Sequence, residues 1–71
     1  MSVISHATKR FSIAGDGSRF CVFDFQFHTG ETVRRFVNVP AGANIDVART
    51  SIVPEVEQGM AQREFEGLIN G

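Results

Sequence analysis

From Arg19 to His28 the chain reads R-F-C-V-F-D-F-Q-F-H, with Phe23, Phe25 and Phe27 alternating with Asp24 and Gln26. Apolar residues at every second position mark a strand with one buried face. The aromatic content and the absence of Gly and Pro point the same way. Lys9 to Ala14 alternates too, placing Phe11 and Ile13 on one face and Arg10 and Ser12 on the other. Residues 1–8 either extend this first strand or form a free arm. Glu31 to Val39 predicts a third strand, ended by Pro40, with Ala41-Gly42 as the connection to the last third of the chain.

The breaks between strands set the register. Gly15-Asp16-Gly17 and His28-Thr29-Gly30 each end in glycine, as a three-residue hairpin loop closed by a left-handed glycine requires. With two such loops Phe11 faces Cys21, Phe25 faces Val33, Cys21 faces Val37, and Asp24 faces Arg34. Arg35 then falls opposite Phe23 on the apolar face. A two-residue Thr29-Gly30 turn is the alternative; it sets Phe36 against Phe23 and Asp24 against Arg35, because a slip of one residue exchanges the faces. The three-residue form is preferred, since both turns then share one geometry.

The last third of the chain has helical character. Asn44 suits an N-cap, and Asp46 falls in the first turn, where the helix dipole favours negative charge. Pro54 disfavours a straight helix through residue 50, so a short piece over 45–50 and a longer one capped by Ser51 are expected. Ile52, Val53, Val56 and Met60 form one apolar cluster on the helical wheel; Ala61, Phe65, Leu68 and Ile69 form another, rotated by more than a quarter turn. Either the helix bends at Gly59, or the second cluster packs on another molecule.

These elements predict one α+β domain over residues 1–71: a three-stranded antiparallel β-meander with a C-terminal α-helix, interrupted near Pro54, packed on one face. The expected core is Phe11, Ile13, Cys21, Phe23, Phe25, Val33, Val37, Ile52, Val56 and Met60. On the opposite face the preferred register gathers Phe20, Val22 and Phe36. Three large apolar groups on a sheet face with no helix of its own call for a covering partner.

Composition adds to this picture. A 71-residue chain buries only about 60% of its unfolded surface, so its core is marginal. Cys21 is the lone cysteine, which excludes an internal disulfide and a multi-cysteine zinc site. Association is the remaining support for so small a fold. No signal-peptide pattern and no membrane-length apolar run is present, so an intracellular protein is expected. Residues 1–43 carry a formal charge of +2 and residues 44–71 a charge of −3, an asymmetry that an acidic, solvated helix face explains.

No catalytic or ligand motif stands out. Cys21 points to the opposite face from Asp24 and His28, and those two lie roughly 13 Å apart along an extended strand, beyond the reach that nucleophilic activation needs. His6 and His28, with Asp24 or Glu31, have no metal-ligand spacing. Glu57 and Glu64 share a helical azimuth roughly 10 Å apart, which a polar helix flank accounts for. Gly15-Asp16-Gly17-Ser18 joins strand to strand and is no phosphate loop. We expect no enzyme activity, cofactor, metal, small-molecule substrate or membrane contact. Phe20 and Phe36 with Arg10 and Arg34 could form a stacking platform for single-stranded nucleic acid; the slightly negative charge and the lack of a basic run argue against it.

Three stretches carry a family likeness. They are the F-x-F-x-x-x-x-G-E hairpin beginning at Phe23, the V-P-A-G-A-N-I-D junction from Val39 to Asp46, and the acidic helix V-P-E-V-E-Q-G-M-A-Q-R-E-F-E from Val53. From Phe20 onward the chain resembles small structural and accessory proteins of tailed bacteriophages. The resemblance implies a virion or assembly component and transfers no functional residue. The expected function is a protein–protein interaction or structural module that self-associates or docks in a larger complex. Its contact residues would be Phe20, Val22 and Phe36 on the sheet and Phe65, Leu68 and Ile69 on the tail. A nucleic-acid-binding domain and a phage-encoded inhibitor of a host protein are the alternatives.

Overall fold

The period-two pattern builds the central strand of an open sheet. In a computed structural model of the protein, which describes residues 2–60, β1 (Val3–Ile13), β2 (Arg19–Phe27) and β3 (Thr32–Val39) form an antiparallel sheet in the order β1-β2-β3. Residues 3–8 extend the first strand rather than forming an arm. Helix α1 (Ile45–Ser51) comes next, then a second helical segment over 53–60. The fold is α+β.

Both turns take the three-residue form. Ala14 donates to the Ser18 carbonyl at 2.8 Å, Phe27 to the Glu31 carbonyl at 2.8 Å, and the glycines closing the loops, Gly17 and Gly30, have φ of 87° and 93°. A positive φ costs glycine nothing, whereas a Cβ would crowd the backbone. The preferred register results: Phe11 opposite Cys21, Cys21 opposite Val37, Asp24 opposite Arg34, and Phe25 opposite Val33. Arg35 does lie opposite Phe23. Its guanidinium escapes along the helix, where a Cβ added at Gly59 would meet Nη2 at 3.6 Å.

Cys21, Phe23, Phe25, Phe27, Val39, Val56 and Met60 form the buried core, with Val33, Val37 and Ile52 partly buried against it. Phe11 and Ile13, expected in that core, are 51% and 70% exposed. The cause is the path of the helix. It leaves the end of β3 and runs toward the first half of β1, where Arg49 donates to His6 and Thr8, and Glu57 accepts from the Val3 backbone N–H. Among the described residues no helix covers the second half of β1. Register shifts around Ile4 and Lys9 also interrupt β1, and such bulges bend and twist a strand.

Asn44 caps α1 as expected, its Oδ1 accepting from Val47 N–H at 3.1 Å, with Asp46 in the first turn and Arg49 in the last. Ser51 does not cap the second piece; its hydroxyl donates back to the Ala48 carbonyl at 2.7 Å. Ile52 keeps right-handed backbone angles, with φ −94° and ψ −2°, and its carbonyl accepts from Val56. Pro54 sits in the first turn of the second segment, where its missing N–H is harmless. The helix therefore bends at Ile52 rather than breaking. Ala61, Glu64, Phe65, Leu68 and Ile69 lie outside the described residues.

Candidate functional site

Alternation sends Phe20, Val22, Asp24 and Gln26 to the face of β2 away from the helix. In register beside them stand Ser12, Arg10, Ala7 and Ser5 from β1 and Asn38, Phe36, Arg34 and Thr32 from β3. Phe20 and Phe36 are diagonal neighbours rather than direct partners, a spacing that aromatic side chains bridge. Their rings stack with centroids 6.2 Å apart and planes 15° apart. Phe20 is 50% and Phe36 62% exposed. Val22, which stands between Arg10 and Phe36, is buried; it is the floor of the patch rather than a projecting contact. Arg10, Phe11, Ser12, Phe20, Val22 and Phe36 together line a shallow hollow.

The polar half of this face is already paired. Arg34 donates from Nε to Asp24 Oδ1 at 2.8 Å and from Nη2 to Oδ2 at 3.2 Å. This hydrogen bonding, with the attraction of the nearby guanidinium, holds the Asp24 carboxyl below its usual range and pushes the Arg34 guanidinium up. Of the two arginines considered for a nucleic-acid platform, Arg34 is thus committed to an internal partner.

The groups weighed for chemistry are dispersed. Cys21 is fully buried under the helix, its Sγ 3.7 Å from the Arg19 carbonyl oxygen. His28 lies against the Ser2 backbone, accepting from its N–H at 3.3 Å, while His6 accepts from Arg49 Nε at 2.8 Å. Glu57 is engaged by the Val3 N–H at 2.7 Å. Among the described residues no group of three His, Cys, Asp or Glu side chains could hold a metal, and no helix is long and apolar enough to cross a membrane.

Two arginines that hold the layers together carry no mark in the sequence. Arg19 donates through Nη2 to the Pro40 carbonyl at 3.0 Å and also to that of Ala43, tying the β3–α1 junction to β2. Arg49 joins α1 to β1 and also pairs with Asp46 at 2.9 Å. A lone arginine gives no local signal of a bond across tens of residues. In comparisons with family models, curated proteins and solved structures, nothing matches this chain.

Proposed function

We propose that the chain is a non-enzymatic protein–protein interaction module, self-associating or seated in a larger assembly such as a virion, with Phe20 and Phe36 as the centre of its contact surface. The observation that carries this reading is the stacked, half-exposed ring pair over a buried Val22, on the sheet face that no element among the described residues covers. Apolar patches with a polar rim are the usual anatomy of a contact core. Here the rim is Arg10, Ser12 and the Asp24–Arg34 pair. Aromatic side chains in such a position concentrate binding energy.

Sedimentation velocity over a wide concentration range tests the reading, with Phe20→Ser/Phe36→Ser as the control. The expected result is association of the native chain and a monomer of unchanged circular dichroism for the double variant. A native chain that stays monomeric at every concentration would sink the self-associating form. The stacked rings with Arg10 beside them keep a second reading in view, binding of single-stranded nucleic acid. It predicts retention of a mixed-sequence oligonucleotide that weakens steeply with added salt.

A further inference from the structure

The two edges of the sheet differ. β1 is interrupted twice, around Ile4 and around Lys9, and bulges together with an edge lysine are the devices that discourage a new strand from pairing. β3 runs in unbroken register with β2 from Thr32 to Val39 and has no partner on its outer side among the described residues. Because Phe27 and Glu31 form a hydrogen-bonded pair, the alternation of an antiparallel ladder directs residues 33, 35, 37 and 39 toward β2. The backbone N–H and C=O groups of Thr32, Arg34, Phe36 and Asn38 therefore point outward.

Resting on the reading of the chain as self-associating, we propose that the outer edge of β3 pairs antiparallel with β3 of a second copy, on a two-fold axis at Phe36. Register selects this axis. Centring on Arg35 or on Arg34 sets like charges directly opposite, which disfavours pairing. Centring on Val37 aligns Arg34 with Pro40, which has no N–H to give, and so shortens the fully paired stretch to 36–38, whereas centring on Phe36 moves that mismatch out to Thr32. Centring on Phe36 sets Phe36 against its copy, Arg34 against Asn38 and Arg35 against Val37, and every outward group between 34 and 38 gains a partner. The Phe20–Phe36 stack then continues across the axis into the same pair of the second copy, so the edge and the aromatic patch form one surface. The contact is isologous and closes at two chains.

Disulfide trapping tests the register. Full-length Arg34→Cys and Asn38→Cys chains are mixed in equal amounts and oxidised gently, and the dimers are weighed by mass spectrometry; Cys21 is buried and the native chain is the blank. Directly opposed residues of a hydrogen-bonded pair have Cα atoms about 5.5 Å apart, within disulfide reach. The expected result is a several-fold excess of the mixed dimer over either homodimer. A statistical mixture, or no cross-link in a chain that sedimentation shows to be associated, overturns the edge pairing and leaves the interaction reading standing. A native chain that never associates overturns the edge pairing together with the self-associating form of that reading. Asn38→Pro provides a second readout: it removes an outward N–H, keeps both rings and touches no bond to β2, and should weaken association at least tenfold. Unchanged association of a folded Asn38→Pro chain would also overturn the proposal.

Discussion

Along β2, Phe23, Phe25 and Phe27 are fully buried on one face of the sheet, while Phe20 on the other is half exposed beside a still more exposed Phe36. The strand treats both faces alike, since each receives every second side chain; what differs is what lies above them. The inner face is covered by Ile45, Ala48, Ile52, Val56 and Met60 of the bent helix, and Arg49 and Glu57 fasten that layer to β1. Among the described residues the outer face has no second layer. One face is thus a core and the other a surface with core-like composition. Burial, not residue type, decides which phenylalanines belong to the core.

Truncating one ring on each side puts that contrast under the most severe strain. Phe23→Ala should cost about 3–5 kcal/mol, from lost burial and the cavity left behind. A domain of this size holds only about 4–10 kcal/mol in total. Phe36→Ala should cost far less, about 0.5–1.5 kcal/mol when both chains are monomeric, from the lost stack on Phe20. Urea unfolding at low protein concentration measures both, and equal losses would refute the division of the faces.

Next comes the fastening of the helix. Arg49→Ala removes the bonds to His6 and Thr8 and should cost about 1–3 kcal/mol. Arg49→Lys should not restore it, because an ammonium lacks the fork that reaches two acceptors at once. Hydrogen exchange of the β1 amides from residue 3 to 8 would report the loosened contact, and protection equal to that of the native chain would show that the helix is held by its apolar face alone.

The turns decide which residues reach which face, and they should differ in tolerance. Gly30→Ala meets no neighbouring atom within 4 Å, so its cost is the left-handed backbone, about 1–2 kcal/mol. Gly17→Ala carries the same cost and also brings its Cβ to 3.2 Å from that of Ala41, so its melting temperature should fall further. The reverse order would mean that the Ala41 loop yields freely.

The smallest effect belongs to the polar half of the outer face. Hydrogen bonding to Arg34 lowers Asp24 from its ordinary value of 3.8, and hydrogen bonding to Ser18 lowers Asp16 likewise. The folded chain therefore holds fewer protons than the unfolded chain across the carboxylate range. The stabilisation is complete above the unfolded pKa and is lost as pH falls through the folded one. Asp16 is open to solvent, and Asp24, partly covered, pairs with an Arg34 that is itself half exposed, so the loss is modest. Asp24→Asn should flatten the dependence of the urea midpoint between pH 5 and 2 while Asp16 keeps a residual slope. An unaltered slope would show that Arg34 gives Asp24 no differential stabilisation.

The strands, the two glycine-closed turns, the register between them and the Asn44 cap were legible because each rests on neighbours a few residues apart. Phe20 and Phe36 could be placed on one face for the same reason. The burial of Val22 was not legible, since it depends on how two rings and Arg10 lie over it. Phe11 and Ile13 show the limit most clearly: their alternation is that of a core strand, and their register against Cys21 and Arg19 is regular, yet they are exposed. Phe27 and Val39, at the two ends of the expected apolar stripe, are buried instead.

Which side chains share a face is written in the order of residues, because a period of two and the φ of a glycine are local properties of the backbone. Which of those faces lies under the helix, and along how much of its length, is settled only when the layers pack. That depends on the helix's exit from β3, its bend at Ile52 and the long-range bonds of Arg19, Arg49 and Glu57, whose partners lie far away in the chain and leave no periodic trace in it.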